Sequence, residues 1–140
     1  MSVQFVLLPV FVLVGLTFAL LFGMVTTRMR TLRGGQVRAA AIAAGEQRWP
    51  AGTAEAGDCF RNQFELPVLF YALIALALPL RHADLVIVLL SWVFVVARFA
   101  HAGIFVTSNN LQQRGMAWFA GALVLFAMWI YFALRILLVI

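Results

Sequence analysis

Hydrophobic positions run almost unbroken through four stretches of the chain, residues 3–26, 59–80, 85–106 and 115–140. A bilayer core takes about 20 apolar residues of helix, and each stretch meets that length. The pattern predicts an all-α integral membrane protein, a four-helix bundle forming one domain over residues 1–140. The polar positions between the stretches are uneven. Residues 27–58 read as a long Gly- and Ala-rich loop, in which the alanine-rich residues 36–47 either extend the first helix or lie along the surface. Arg81-His82-Ala83-Asp84 reads as a tight turn announced by Pro79, and residues 109–114 form the third connection.

Composition agrees with the pattern. Of 140 residues, 65% are hydrophobic and 11% charged, and the mean hydropathy is +1.04, far from the range of soluble domains. All ten basic residues are arginine, and against five acids they leave a formal charge of +5. Nucleic acid is a poor partner for such a chain, because tracking phosphates needs a solvated basic face. The single cysteine, Cys59, excludes an intramolecular disulfide framework and reads as a small apolar residue at a helix entrance.

The arginines orient the spans. Arg28, Arg30, Arg33, Arg38 and Arg48 lie in the first connection and Arg114 ends the third, whereas the second has only Arg81. The positive-inside rule puts the first and third connections in the cytoplasm and both termini on the other side, with a bacterial inner membrane as the expected location. Residues 3–26 have no basic n-region, and arginines rather than a small-residue cleavage site follow them, so they read as a span and not a signal peptide.

The polar residues inside the spans carry the chemistry, since an ionisable group within a bilayer needs a partner or a water-filled site. Arg61, Asn62 and Glu65 are spaced to share one face at the start of the second helix, with Glu65 roughly 9 Å below the boundary. On the third helix Arg98, His101 and Phe105 form one stripe ending at the same boundary. Arg114 opens the fourth, its face continued by Trp118, Gly121, Leu125 and Met128, and Ala117-xxx-Gly121 permits close helix approach. Arg28 and Arg30, at the end of the first helix, complete a ring of cations.

Taken singly, each pair reads as structural: Glu65 answers Arg61 or Arg98, Asn62 bonds a carbonyl, and the loop arginines answer anionic lipid. Collected, one carboxylate does not require five guanidiniums, and the excess positive charge implies an anionic ligand. A metal is not expected, because the second histidine, His82, lies at the opposite end. Trp129 and Tyr131 read as packing residues near the middle of the fourth helix, and Arg135 as snorkelling to the outer interface. Trp49 and Trp92 suggest no role beyond interface or core. A small proton-coupled exporter using Glu65 is a remote alternative, since the arginines around that shallow carboxylate would keep it ionised.

These residues resemble the MAPEG family, the membrane-associated proteins in eicosanoid and glutathione metabolism. The resemblance rests on Asn62-x-x-Glu65 followed by Pro67, on Arg98-x-x-His101, and on Arg114 sixteen residues after Arg98. The spacing is similar to that of the microsomal glutathione transferase branch, with Trp118-Phe119-Ala120-Gly121 standing for its Phe-x-Gly-like segment. It implies a homotrimer of four-helix subunits binding glutathione as co-substrate between neighbours, with no metal. By position, Arg28 or Arg30, Asn62, Glu65, Arg98 and His101 would hold glutathione, and Arg114 would stabilise its thiolate. The implied activity is a transferase or peroxidase acting on hydrophobic small molecules dissolved in the membrane, so the expected partners are lipid, such small molecules and further copies of the chain. The sequence departs from the family at Phe105, where many members have tyrosine, and at Asp58, where transferases carry a basic residue. Arg61 does not replace it on the same side of the helix, and Pro67 comes earlier after Glu65 than in the eicosanoid-synthesising members. Phe105 and Asp58 favour the alternative of a non-catalytic lipid-binding or scaffold protein of the same fold.

Overall fold

The computed structural model describes residues 2–138 and is all-helical among them. Helix α1 covers Val3–Arg33, α2 Ala39–Ala43, α3 Ala51–Asn62, α4 Leu66–Ala77, α5 Leu85–Val106 and α6 Leu111–Leu137. Three of these, α1, α5 and α6, are long and apolar enough to cross a membrane. Much of their surface is large exposed apolar side chain, including Phe11, Phe18 and Phe22 of α1 and Phe119, Leu123 and Phe126 of α6, as an integral membrane protein requires.

Helix α5 is the centre of the bundle. Ile87, Ser91, Phe94, Arg98, His101 and Phe105 recur at alternating steps of four and three, and all six are buried. Gly121, Leu125, Met128 and Phe132 of α6 follow the same rhythm, so the two helices meet seam to seam. At Gly121 a Cβ would stand 3.6 Å from the Ala97 Cβ and 3.7 Å from Phe94 Cε1, so a side chain longer than alanine would push the helices apart. Val6 and Leu13 of α1, and Phe70, Leu73 and Ile74 of α4, close the apolar core around Phe94. The Phe70 and Phe94 rings stack at 5.1 Å.

The expected second span, residues 59–80, is not one helix. It is two 12-residue helices separated by a break at Gln63-Phe64-Glu65. Pro67 is the cause: it has no amide to offer the Gln63 carbonyl, and its ring excludes that carbonyl from the helical position. The chain tightens before it, with Gln63 N bonding Phe60 O at 3.0 Å, Phe64 N bonding Arg61 O at 3.0 Å and Glu65 N bonding Asn62 O at 3.2 Å. Helix α4 alone rises only about 18 Å, short of a hydrocarbon core of about 30 Å.

The expected long loop is also largely ordered. Helix α1 continues past residue 26 to Arg33, and α3 begins at Ala51. The alanine-rich segment contributes the short α2, whose Ala41 is buried. The hydroxyls of Thr31 and Thr53 share a 2.7 Å hydrogen bond that ties α1 to α3. The third connection shrinks to residues 107–110, because Asn110 caps α6 by accepting from Gln113 N at 3.1 Å. Arg114 therefore sits inside the first turns of α6 rather than ahead of the helix.

The opposite end is latched by polar side chains. Asp84 caps α5 by accepting from Ile87 N at 3.2 Å, and its other oxygen accepts from the Tyr131 hydroxyl and the Arg135 guanidinium of α6. Tyr131 packs against the core as expected, and its hydroxyl is in addition a polar tie near the end of α6, two turns from its terminus.

Candidate functional site

The break in the second span creates the site. Interrupting the helix leaves carbonyls without amide partners, and buried polar side chains answer them. Gln63, 1% exposed, turns its Nε2 back to Cys59 O at 3.3 Å. Arg98, also 1% exposed, reaches across from α5 and donates through Nη2 to Asn62 O at 3.3 Å and to Asn62 Oδ1. The Asn62 amide nitrogen in turn donates to Glu65 Oε1. A charged chain, Arg98 to Asn62 to Glu65, therefore runs from the interior of the bundle to an exposed carboxylate.

That carboxylate opens on a cleft of about 450 Å³ lined by Asp58, Arg61, Asn62, Glu65 and Phe105. The volume lies within the range of about 300 to 1,000 Å³ usual for small-molecule sites. Arg61 and Asp58 form an exposed ion pair on one wall. Arg61 therefore answers Asp58 and not Glu65, which takes its partner from Asn62.

Phe105 also lines the cleft, and Arg114 lies over its ring at 4.5 Å. Asn109 fixes the guanidinium by accepting from Arg114 Nη1 at 2.5 Å, and its own backbone adopts φ +49° in the turn between α5 and α6. Phe105 also meets the His101 ring in a T-shaped contact, with centroids 5.8 Å apart. His101 is 2% exposed, and its Nδ1 has no hydrogen-bond partner among the described residues. Arg98 Nε and Nη1 and Gln63 Oε1 are likewise buried without partners. This leaves several strong donors and an acceptor directed at the polar layer with unmet capacity. Cys59 is fully buried beside Ala102, Phe105, Leu16 and Leu20, in keeping with a small apolar residue.

Of the residues expected to act together, Asn62, Glu65, Arg98 and His101 share this layer, and Arg114 joins it through Phe105. Arg28 and Arg30 do not join it within one chain. Arg28 stacks on Trp49 at 5.1 Å and is received by Gly57, where a Cβ would come within 3.0 Å of Nη2. Arg30 is exposed near the end of α1. The five cations do not close into one ring within a single chain, because α1 presents Arg28 to Trp49 and Gly57 and not to α5. Gln63 and Asn109 also shape the site, although their types and spacing carried no such signal; the run of polar residues ahead of Pro67 was the only hint. No group of three or more His, Cys, Asp or Glu side chains able to hold a metal occurs among the described residues.

The charge layout suits a zwitterionic, carboxylate-bearing ligand. Glu65 offers an acceptor for an ammonium group, the guanidiniums offer donors for carboxylates, and Arg114 supplies a fixed positive charge beside an aromatic wall. Comparison with curated proteins and with solved structures gives no match. A model of the MAPEG family matches residues 6–134, nearly the whole chain from the first turns of α1 to the end of α6, and the chain belongs to that family.

Proposed function

We propose that the protein is a glutathione-dependent transferase or peroxidase acting on hydrophobic electrophiles dissolved in the membrane. The observation that carries this reading is the Arg98–Asn62–Glu65 chain opening on a cleft lined by Phe105, over whose ring Arg114 lies. Glu65 takes the ammonium group of glutathione, Asn62, Arg98 and His101 orient its polar backbone, and Arg114 faces the thiol. A guanidinium beside a thiol stabilises the thiolate, which is the nucleophile. In transfer, the thiolate forms a carbon–sulfur bond while the leaving group departs with its electron pair. In peroxide reduction, the thiolate takes the distal oxygen and releases an alcohol, and a second glutathione then yields disulfide and water.

The same reading assembles the chain as a homotrimer in a bacterial inner membrane, with the polar layer near the cytoplasmic face and both termini opposite. Helix α4, with the end of α3, makes the fourth crossing. Arg30, exposed on α1, serves the site of a neighbouring copy, while Arg28 is engaged with Trp49. Calorimetric titration of the detergent-solubilised protein with glutathione tests the assignment. Saturable binding is expected, weakened about tenfold or more in Glu65→Gln, the loss of one charge-assisted bond. No binding at millimolar glutathione contradicts it.

A second reading, a non-catalytic lipid-binding or scaffold protein, is favoured by an apolar groove of about 480 Å³ between α4 and α6, lined by Leu66, Leu69, Leu125, Phe126 and Trp129. Retention of lipid without glutathione affinity would support it.

A further inference from the structure

Beside the glutathione cleft, across the Asp58–Arg61 ion pair, lies a second cavity of about 350 Å³ that the proposed reaction does not use. Its walls include Arg28 from α1, Arg48 and Trp49 from the segment before α3, and Asp58 and Arg61 from α3. Three guanidiniums meet one carboxylate there, and that carboxylate is already paired with Arg61. Two positive charges are left facing one cavity.

Neither remaining guanidinium is satisfied internally. Arg28 makes no hydrogen bond among the described residues, and its Nε is shut off from solvent without a partner. Its position is nevertheless fixed: Trp49 covers one side at 5.1 Å, and Gly57 leaves room for Nη2 where a Cβ would stand at 3.0 Å. Arg48 is exposed at the rim and likewise has no hydrogen bond or ion pair among the described residues. The segment holding Trp49 is anchored by the buried side chains of Val37 and Ala41 and by the Gln47 side chain, which accepts from Arg38 N at 2.9 Å. A solvated arginine needs no such seat. A guanidinium held with unmet donors beside a second one is built to receive an oxyanion.

The location selects the anion. Arg28 is the first charge after the apolar run of α1, three residues past Val25, at the level where lipid headgroups lie, and a tryptophan beside it is a residue of that interface. We propose that this cavity is a phosphate site, filled by the phosphodiester of an anionic phospholipid or by free phosphate. A tetrahedral phosphate offers oxygens in several directions and so serves Arg28 and Arg48 from different walls, which one planar carboxylate does less well. The site requires none of Asn62, Glu65, Arg98 or Arg114, so it stands or falls separately from the glutathione reading.

Native mass spectrometry of the purified full-length protein tests the site, with phosphatidylglycerol, phosphatidylcholine or inorganic phosphate added. Phosphatidylglycerol should be retained in preference to phosphatidylcholine, about fivefold less by Arg48→Ala, and hardly at all by Arg48→Glu. Arg81→Ala, an exposed arginine at the opposite end, should retain it fully. Displacement by millimolar inorganic phosphate would identify the phosphate group itself as the ligand, and retention in its presence would identify the lipid headgroup. Equal retention by Arg48→Glu and the unaltered protein would overturn the proposal, as would equal loss in Arg81→Ala.

Discussion

The Arg98 guanidinium donates to both the backbone carbonyl and the side-chain oxygen of Asn62, joining the middle of α5 to the last residue of α3. One contact thus gives the Asn62 carbonyl a second donor beside the Glu65 amide, ties α5 to the end of α3 and orients Asn62 toward Glu65. Under the proposed function, structural and functional demands meet on the same two residues.

Asn62→Leu should therefore cost stability as well as ligand affinity. It leaves Arg98, 1% exposed, without its side-chain acceptor, a loss of about 2 kcal/mol for a hydrogen bond to a charged group. Thermal unfolding in detergent would show a lowered midpoint, and Asn62→Asp, which keeps the acceptor, should unfold closer to the unaltered protein. Equal midpoints for Asn62→Leu and the unaltered protein would mean that water replaces the contact.

Pro67→Ala tests the origin of the break. Restoring an amide at residue 67 allows it to bond the Gln63 carbonyl, so α3 and α4 can join. Amide hydrogen exchange at residues 63–66 should slow, and glutathione should bind more weakly as Asn62 and Glu65 turn away from the cleft. Unchanged exchange would place the cause of the break elsewhere, in Arg98 or Gln63.

Much of this was legible in the sequence. The apolar runs gave α5 and α6 to within a few residues, and the spacing of Arg98, His101 and Arg114 carried the family resemblance. Asn62 and Glu65 were legible as a pair because their separation survives the loss of the helix: the break brings them together by a turn instead of a helical face. The break itself was not foreseen, since a hydropathy window averages over Pro67 and sees one continuous span. The neighbours of Arg28 within the chain were not legible for a related reason. A segment read as loop, residues 27–58, folds back as α2 and α3, and it presents Trp49 and Gly57 to an arginine that would otherwise face the polar layer. The packing role of Tyr131 was legible too, but its hydroxyl contact was not, because it depends on Asp84 of another helix standing opposite it.

The latch at the other end should make stability depend on pH. Burial works to raise the Asp84 carboxyl, but hydrogen bonds from Tyr131 and the Ile87 amide, together with the Arg135 charge, outweigh it and hold the group below its ordinary 3.8. A depressed folded pKa means that this contribution is fully present above the unfolded value and is lost as pH falls through about 4 and below. Unfolding temperatures measured from neutral pH down to pH 3 should decline, and Asp84→Asn should flatten the part of that decline due to the latch. The same slope in Asp84→Asn would assign the acid sensitivity to other carboxylates.

Phe105 lines the cleft proposed to hold glutathione. Phe105→Tyr adds a hydroxyl on the wall between His101 and Arg114 and should tighten glutathione binding by up to about tenfold, the worth of one neutral hydrogen bond. Phe105→Leu removes the aromatic face under Arg114 and should weaken binding while keeping the fold. Calorimetric titration of the three proteins separates these outcomes, and identical affinities would show that residue 105 does not reach the ligand.

In the proposed reaction Arg114, held over Phe105 by Asn109, stabilises a glutathione thiolate. Rapid mixing of the purified protein with glutathione, followed by ultraviolet absorbance of the thiolate, tests it directly. A thiolate signal is expected in the unaltered protein and should disappear in Arg114→Ala while the assembled state, measured by light scattering, stays the same. An equal thiolate signal in Arg114→Ala would contradict it.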